Sequence, residues 1–539
     1  MEELANLADV KFSSKQVRHK AKEQDDFKSK LSRAIELMRV LTAHYSDWRA
    51  AFAAFQSRIF NVRGTLACVQ RQEKMRGRVD DSLFDYIQLT TENFVTTRID
   101  GSAPTSLTET PPFASATAAT FGILLLFWKD FQMGVLWMLA DDSADLMSDI
   151  KPSPLAAVPK KDPATLLLTG DLRVVHAHNV GEHSINERTP RSRHPPAACP
   201  QHAEVILYAL WLRACFPGLA IGAAKLDARM AFRNRLLYLA DANWFATQFP
   251  GDEVGIRIIT AIWGGLTFGW TESPGEYGVV GWAISQAHCR SAPPEEDVGS
   301  MPELLFWNLT FVDDGVVVDL MRVGGRAHYS RSSYLEVMCQ LFSEAAPALE
   351  KIDSEGNFAA AMVLWGLWAD FERELLCLPE TKLLRAIALL KLPKHAVGQR
   401  RIPYKQHLAL ASYFQYIGIV VPAVLLYVSM LWSMCQTATA GWIDPVGDET
   451  AKARAWAELD EAKTTLALVL EPARANPSLA SAFPMSHASE RRSGREGSCS
   501  SWLITITPST PQTVTRLGIV TLGSCSAYFQ CWKCASASS

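Results

Sequence analysis

Leu304-Leu305-Phe306-Trp307-Asn308-Leu309-Thr310-Phe311-Val312-Asp313-Asp314-Gly315-Val316-Val317-Val318-Asp319 reads as two apolar strands meeting at an acidic tip. The β-branched and aromatic runs on both sides predict a buried hairpin, and Asp314-Gly315 suits its tight turn. An acidic tip of this kind is either an ordinary surface turn, since carboxylates favour turns, or one half of a metal site. A second carboxylate in an apolar frame lies upstream, in Ile221-Gly222-Ala223-Ala224-Lys225-Leu226-Asp227. Two such acids on neighbouring strands can hold Mg2+ between them, because a hard cation takes oxygen ligands.

Outward from that pair, 539 residues are enough to bury a sizeable core without disulfide or metal staples. The net charge of -3 excludes a globally basic nucleic-acid coat, yet residues 381–405 carry seven Lys/Arg and no acidic residue. Eleven cysteines without a regular framework fit a reducing compartment. Cys525, Cys531 and Cys534 have the look of a metal knuckle but lack a fourth ligand. The charged start of the chain has no apolar core of the signal-peptide kind, so an intracellular protein, cytoplasmic or nuclear, is expected. Residues 417–434 approach the length of a membrane span, but Pro422 interrupts them; a buried helix pair and no membrane contact are expected.

Residues 1–110 show helical spacing, as in Leu31, Ala34, Ile35, Met38 and Leu41, and 101–117 reads as a linker. Pro154–Asp162 and Asp171–His176 predict two strands joined by a polar loop, with basic side chains on both. These form either a solvated basic hairpin or a clamp in which a Lys and an Arg hold a triphosphate. Glu204 to Phe216 predicts a helix, Ile221 to Leu226 a strand delivering Asp227, and Ala231 to Ala240 a further helix. A loop marked by Gly269, Pro274 and Gly275 opens a helix through Val279 to Ala287. Ser333 to Glu344 predicts a helix, Met362 to Leu378 a short hairpin, and Glu449 to Leu470 an amphipathic helix. Beyond Pro477, disorder or a degraded tail is expected.

Taken in order, these pieces resemble the polymerase core of reverse transcriptases of retrotransposon type, over roughly residues 130–430. Val158-Pro159-Lys160-Lys161-Asp162, Arg173-Val174-Val175-His176 and Ser184-Ile185-Asn186 resemble the family's fingers motifs. Lys225-Leu226-Asp227 to Phe232 resembles the first palm motif, and Phe268-Gly269-Trp270 to Pro274 the template-and-nucleotide loop. Phe311-Val312-Asp313-Asp314 resembles the acidic hairpin, and Leu364 to Leu367 with Leu378-Pro379-Glu380 the primer grip.

The resemblance implies an α+β right-hand polymerase with an antiparallel palm sheet and a helical N-terminal region at 1–110. Fingers and palm would span 130–380, a thumb-like connection 381–435 and a helix 445–475, with 477–539 as tail. It implies RNA-directed DNA polymerase activity of a retroelement, with an RNA template, a DNA or RNA primer and dNTPs as partners. Mg2+, or Mn2+, would be held by Asp227 and Asp313, with Asp314 contributing less directly. Lys161 and Arg173 would contact the triphosphate, Phe268 and Gly269 the nucleotide and template. Phe232 would be the steric gate under the sugar, where the residue type alone also suits a core aromatic.

Three features depart from the family pattern. Ala177 stands where the family has aspartate, and Phe268 where many relatives carry Gln. Glu490 and Glu496 are the only acids after Pro477, so no working ribonuclease H is expected. A fragment or decayed reading frame, and with it a catalytically inactive relic that binds nucleic acid, is the competing expectation.

Overall fold

The computed structural model describes all residues except 13–16, 19, 64–68, 102–108, 162–167, 181–183, 198–201, 292–303, 322–324, 345, 440 and 476–539. It is a mixed helix and sheet structure in which every paired strand among the described residues is antiparallel. The strands that carry the acids form one sheet: β4 (Ile221–Asp227), β7 (Asn308–Phe311) and β8 (Asp314–Leu320), in the order β4-β8-β7.

β8 explains its own composition. Side chains alternate between faces, so Val317 joins one hydrophobic core while Val316, Val318 and Leu320 join another. A strand covered on both faces has no use for polar alternation and reads as an unbroken apolar run. The first core continues through the N-terminal helices Ala21–Tyr45 and Trp48–Arg63, the helix Thr120–Gln132, and a sheet of β1 (Leu136–Ala140), β6 (Ile256–Trp263) and β5 (Ala246–Gly251). The second core gathers the helix His202–Cys215, a sheet of β9 (Ala361–Leu364), β10 (Leu367–Asp370) and β11 (Leu375–Cys377), and helices between Glu380 and Leu470. β2 (Leu155–Lys161) and β3 (Leu168–His176) form the expected two-stranded ribbon.

Several expectations are corrected. Asp314-Gly315 does not make the turn: Phe311 pairs with Asp314, so the two turn residues are Val312 and Asp313, with Val312 at φ 54°. Gly315 sits inside β8, where a Cβ would lie 2.0 Å from the Tyr334 hydroxyl oxygen. The strand starts at Asn308, not Leu304: Trp307 still accepts from Val318 N–H at 3.4 Å, but Leu305 and Phe306 are held by another element. The buried Arg326 donates to the Leu305 carbonyl at 3.1 Å, packs over Phe306, and pairs with buried Asp319 at 2.6 Å.

Ala231–Ala240 is not a helix. A single 3-10 turn, Ala231–Asn234, is followed by extended chain, because Arg233 pairs with Asp130 at 3.2 Å and Arg235 reaches Thr90 Oγ1 at 2.9 Å. The hairpin expected at 362–378 has three strands, and the helix expected at Ser333–Glu344 runs from Arg326 to Leu341. Residues 417–434 divide at Pro422 between helices Tyr404–Ile417 and Leu425–Cys435, which pack together. Among the described residues no helix is long and apolar enough to cross a membrane. The cysteines at 525, 531 and 534 and the tail lie outside the described residues.

Candidate active site

β4 and β8 pair in a register that sets Asp227 directly opposite Asp314, and the turn places Asp313 beside them. The backbone locks this arrangement. Ala228 N–H donates to the Asp313 carbonyl at 2.9 Å, Ala348 N–H to the Asp227 carbonyl at 2.9 Å, and Arg229 N–H to the Ala346 carbonyl at 2.7 Å.

Burial raises the Asp227 carboxyl from its ordinary 3.8 to about 7; Lys351 opposes the rise, and the fields of Asp313 and Asp314 add to it. Asp313 is also raised, by burial first and by Asp314 second. Like charges on adjacent strands, removed from water, cannot both ionise freely. Lys351, on the helix Leu349–Glu355, donates from Nζ to Asp227 Oδ1 at 2.8 Å. Burial disfavours its charge, but the bond to Asp227 and the fields of the three aspartates outweigh burial and raise its pKa.

Among the described residues no three His, Cys, Asp or Glu side chains form a ready metal cluster. The donor chemistry nonetheless fits a hard divalent cation: Asp227 at the end of β4 and Asp313 in the adjoining turn offer carboxylate oxygens, and burial, which raises both pKa values, leaves their charge short of solvent. Lys351 now supplies part of that compensation.

A ladder of contacts runs from the ribbon to the helix Ser273–Cys289. The Arg173 guanidinium lies 5.5 Å from the centre of the Phe268 ring, Phe268 lies 4.7 Å from Phe232, and Phe232 lies 5.9 Å from Tyr277. Arg173 also acts electrostatically on Asp313, lowering its pKa. Arg173 and Phe268 are exposed and Phe232 is buried, so the ladder rises from core to surface. Gly269, at φ 110°, presses against β3 so closely that a Cβ would meet the His176 carbonyl at 1.9 Å. Asn186 fastens the same loop, donating to the Gly269 carbonyl at 2.9 Å and accepting from Thr271 N–H at 3.1 Å. Lys161 pairs with Leu168 at the end of β2; its side chain lies outside the described residues. The structure thus brings Asp227, Asp313 and Asp314 together and joins Arg173, Phe268 and Phe232 through contacts, with Gly269 packed against His176 of β3.

Lys351 was not expected. It sits in Leu349-Glu350-Lys351-Ile352-Asp353-Ser354-Glu355, a charged stretch in which nothing local marks it. Tyr334, against Gly315 and bonded to Thr310 at 3.0 Å, was also unmarked.

No family model and no curated protein matches the chain. Among solved structures it is similar to a foamy viral protease-reverse transcriptase (dRH) in complex with double-stranded DNA, at 15% identity and a TM-score of 0.39, over 74% of this chain and 60% of that one. A second foamy viral protease-reverse transcriptase, also with double-stranded DNA, matches at 14% identity and a TM-score of 0.39, over 74% of this chain and 72% of that one. A third, with an RNA/DNA hybrid, matches at 13% and 0.38, over 73% of this chain and 46% of that one. The chain therefore spans less than two thirds of the length of the first and third. What the site can do is read from its own residues.

Proposed function

We propose that the protein is an RNA-directed DNA polymerase of a retroelement, adding dNTPs to a primer 3'-OH on an RNA or DNA template. The observation that carries this reading is the β4–β8 register, which sets Asp227 opposite Asp314 with Asp313 at the adjoining turn.

In this reading Asp227 and Asp313 hold Mg2+, or Mn2+, and Asp314 contributes to their field. When bound, the metal supplies charge neutralisation for the attacking 3'-oxygen and the departing pyrophosphate. Arg173 presents a planar fork to the triphosphate, and Lys161 a point charge from the facing strand. The exposed Phe268 ring offers a face to the nucleotide, and Gly269 lets backbone approach it. Phe232, fixed under Phe268, lies beneath the sugar and excludes a 2'-hydroxyl. Lys351 opposes protonation of Asp227 in the resting protein and remains a cation beside the phosphates. β2–β3 would serve as fingers, the β4-β8-β7 sheet as palm, and the helices after Glu380 as thumb.

The sugar contact gives a direct test. Phe232→Val opens space under the ring, and incorporation of ribonucleotides relative to deoxynucleotides is expected to rise by at least about tenfold. An unchanged ratio in a folded, active variant would remove Phe232 from the gate.

One observation favours a second reading, a relic that binds nucleic acid without chemistry: Asp227 is already closed by Lys351. Salt-dependent binding with no Mg2+-dependent extension would support the relic, and robust extension would exclude it.

A further inference from the structure

Beside the loop that follows Asp227 lies a cavity of about 860 Å3 that the polymerase reading leaves unused. Its lining includes none of Asp313, Arg173, Phe232 and Phe268. Part of the wall comes from the N-terminal region, to which the polymerase reading gives no role. The size suits a small-molecule ligand, which cavities of roughly 300–1,000 Å3 ordinarily take.

The chemistry of the wall is divided. Lys11, Lys129 and Arg229 line it and are exposed, and none has a carboxylate within ion-pairing distance among the described residues. Although Lys129 is exposed, the protein packed around it partly desolvates its ammonium and lowers its pKa; Asp171 opposes this, while Lys160, Arg18 and Arg229 add to it, so further cations gather at the same place. Asp9 and Glu350 are the carboxylates on the wall. The apolar part includes three half-buried rings, Phe12, Phe60 and Phe94. Exposed cations hold phosphate oxygens, and half-buried rings take a flat heterocycle by stacking.

We propose that this cavity is a second nucleotide site, taking a nucleoside di- or triphosphate with its phosphates among Lys11, Lys129 and Arg229 and its ring system against the phenylalanines. The occupant touches both segments that form the Asp227–Lys351 pair. Arg229 lies two residues past Asp227 and is bonded to the chain before Lys351 through Ala346, and Glu350 precedes Lys351 on its helix. Occupancy therefore couples the N-terminal region to the catalytic carboxylate.

The test is a titration of the full chain with a fluorescent ATP analogue carrying a methylanthraniloyl group, in buffer with EDTA and no divalent metal. Without metal or primer it reads binding alone, so it succeeds or fails independently of polymerase activity. Saturable binding is expected, weakened by about tenfold or more in Lys129→Glu and in Phe94→Leu. Lys11→Glu serves in place of either variant if thermal melting shows that one to be unfolded. Absence of saturable binding would overturn the proposal. So would loss in Arg173→Ala with retention in Lys129→Glu, which would place the analogue against the ribbon. Tripolyphosphate competing as well as ATP, with Phe94→Leu unchanged, would overturn the nucleotide assignment and leave an inorganic polyphosphate site.

Discussion

At the scale of single residues, the site is a problem in charge. Asp227 is raised to about 7, chiefly by burial and against the pull of Lys351. The folded protein therefore keeps a proton on Asp227 where the unfolded chain has released it, and between about pH 3.8 and about pH 7 this group's contribution to stability falls as pH rises. Lys351→Met removes the opposing cation and raises the carboxyl further. The melting temperature of Lys351→Met should thus drop more steeply than wild type between about pH 5 and about pH 8, and Asp227→Asn in the same background should remove the difference. Parallel wild-type and Lys351→Met curves would show that the 2.8 Å pair does not set the titration of Asp227. The same cation was invisible beforehand, because a lysine in a charged heptapeptide looks solvated until the fold brings Asp227 to it.

At the scale of elements, the acidic hairpin depends on close approach between β8 and the helix Arg326–Leu341. Gly315 has no Cβ, and the Tyr334 hydroxyl fills that space while bonding Thr310. Gly315→Ala should destabilise the protein by about 1–3 kcal/mol through overpacking, and Tyr334→Phe in the same chain should recover part of the loss by removing the oxygen 2.0 Å from the new Cβ, while the ring Cζ at 2.6 Å remains. Denaturant unfolding of the two single variants and the double variant checks this; additive losses would refute the contact as the cause.

Legibility also divides by element. β4 and β8 were readable because strands buried on both faces leave an unbroken apolar run, and the 155–176 ribbon because two segments carrying basic side chains flank a polar loop. The turn was misplaced because Asp-Gly is the commoner local choice, whereas pairing of Phe311 with Asp314 forces Val312 into a left-handed conformation. Ala231–Ala240 has helix-forming composition, but the ion pairs of Arg233 with Asp130 and Arg235 with Glu276 come from distant sequence and win. Of the candidate site, the three aspartates were legible and their positively charged partner was not.

At the scale of the molecule, the basic segment 381–405 proves less free than its sequence suggests. Lys382 donates to the Tyr416 hydroxyl at 3.0 Å, Arg385 lies over Tyr413, Arg400 pairs with Asp460 at 2.7 Å and Arg401 covers Trp442. Lys394 and Lys405 are exposed. If this face holds a primer-template, its affinity should fall with salt, and Lys394→Ala with Lys405→Ala should reduce the slope of log K against log salt by about 2. An unchanged slope would move the duplex to another surface.

The central claim is that Asp227 and Asp313 make a metal-assisted nucleotidyl-transfer site. Its most direct test is dNTP incorporation on a primed RNA template by the full chain, with Mg2+ or Mn2+, beside Asp227→Ala and Asp313→Ala variants shown to be folded. The account predicts metal-dependent extension by wild type and its loss, by at least about a hundredfold, in both variants. Extension by either variant at the wild-type rate, or none by a folded wild type, would contradict it.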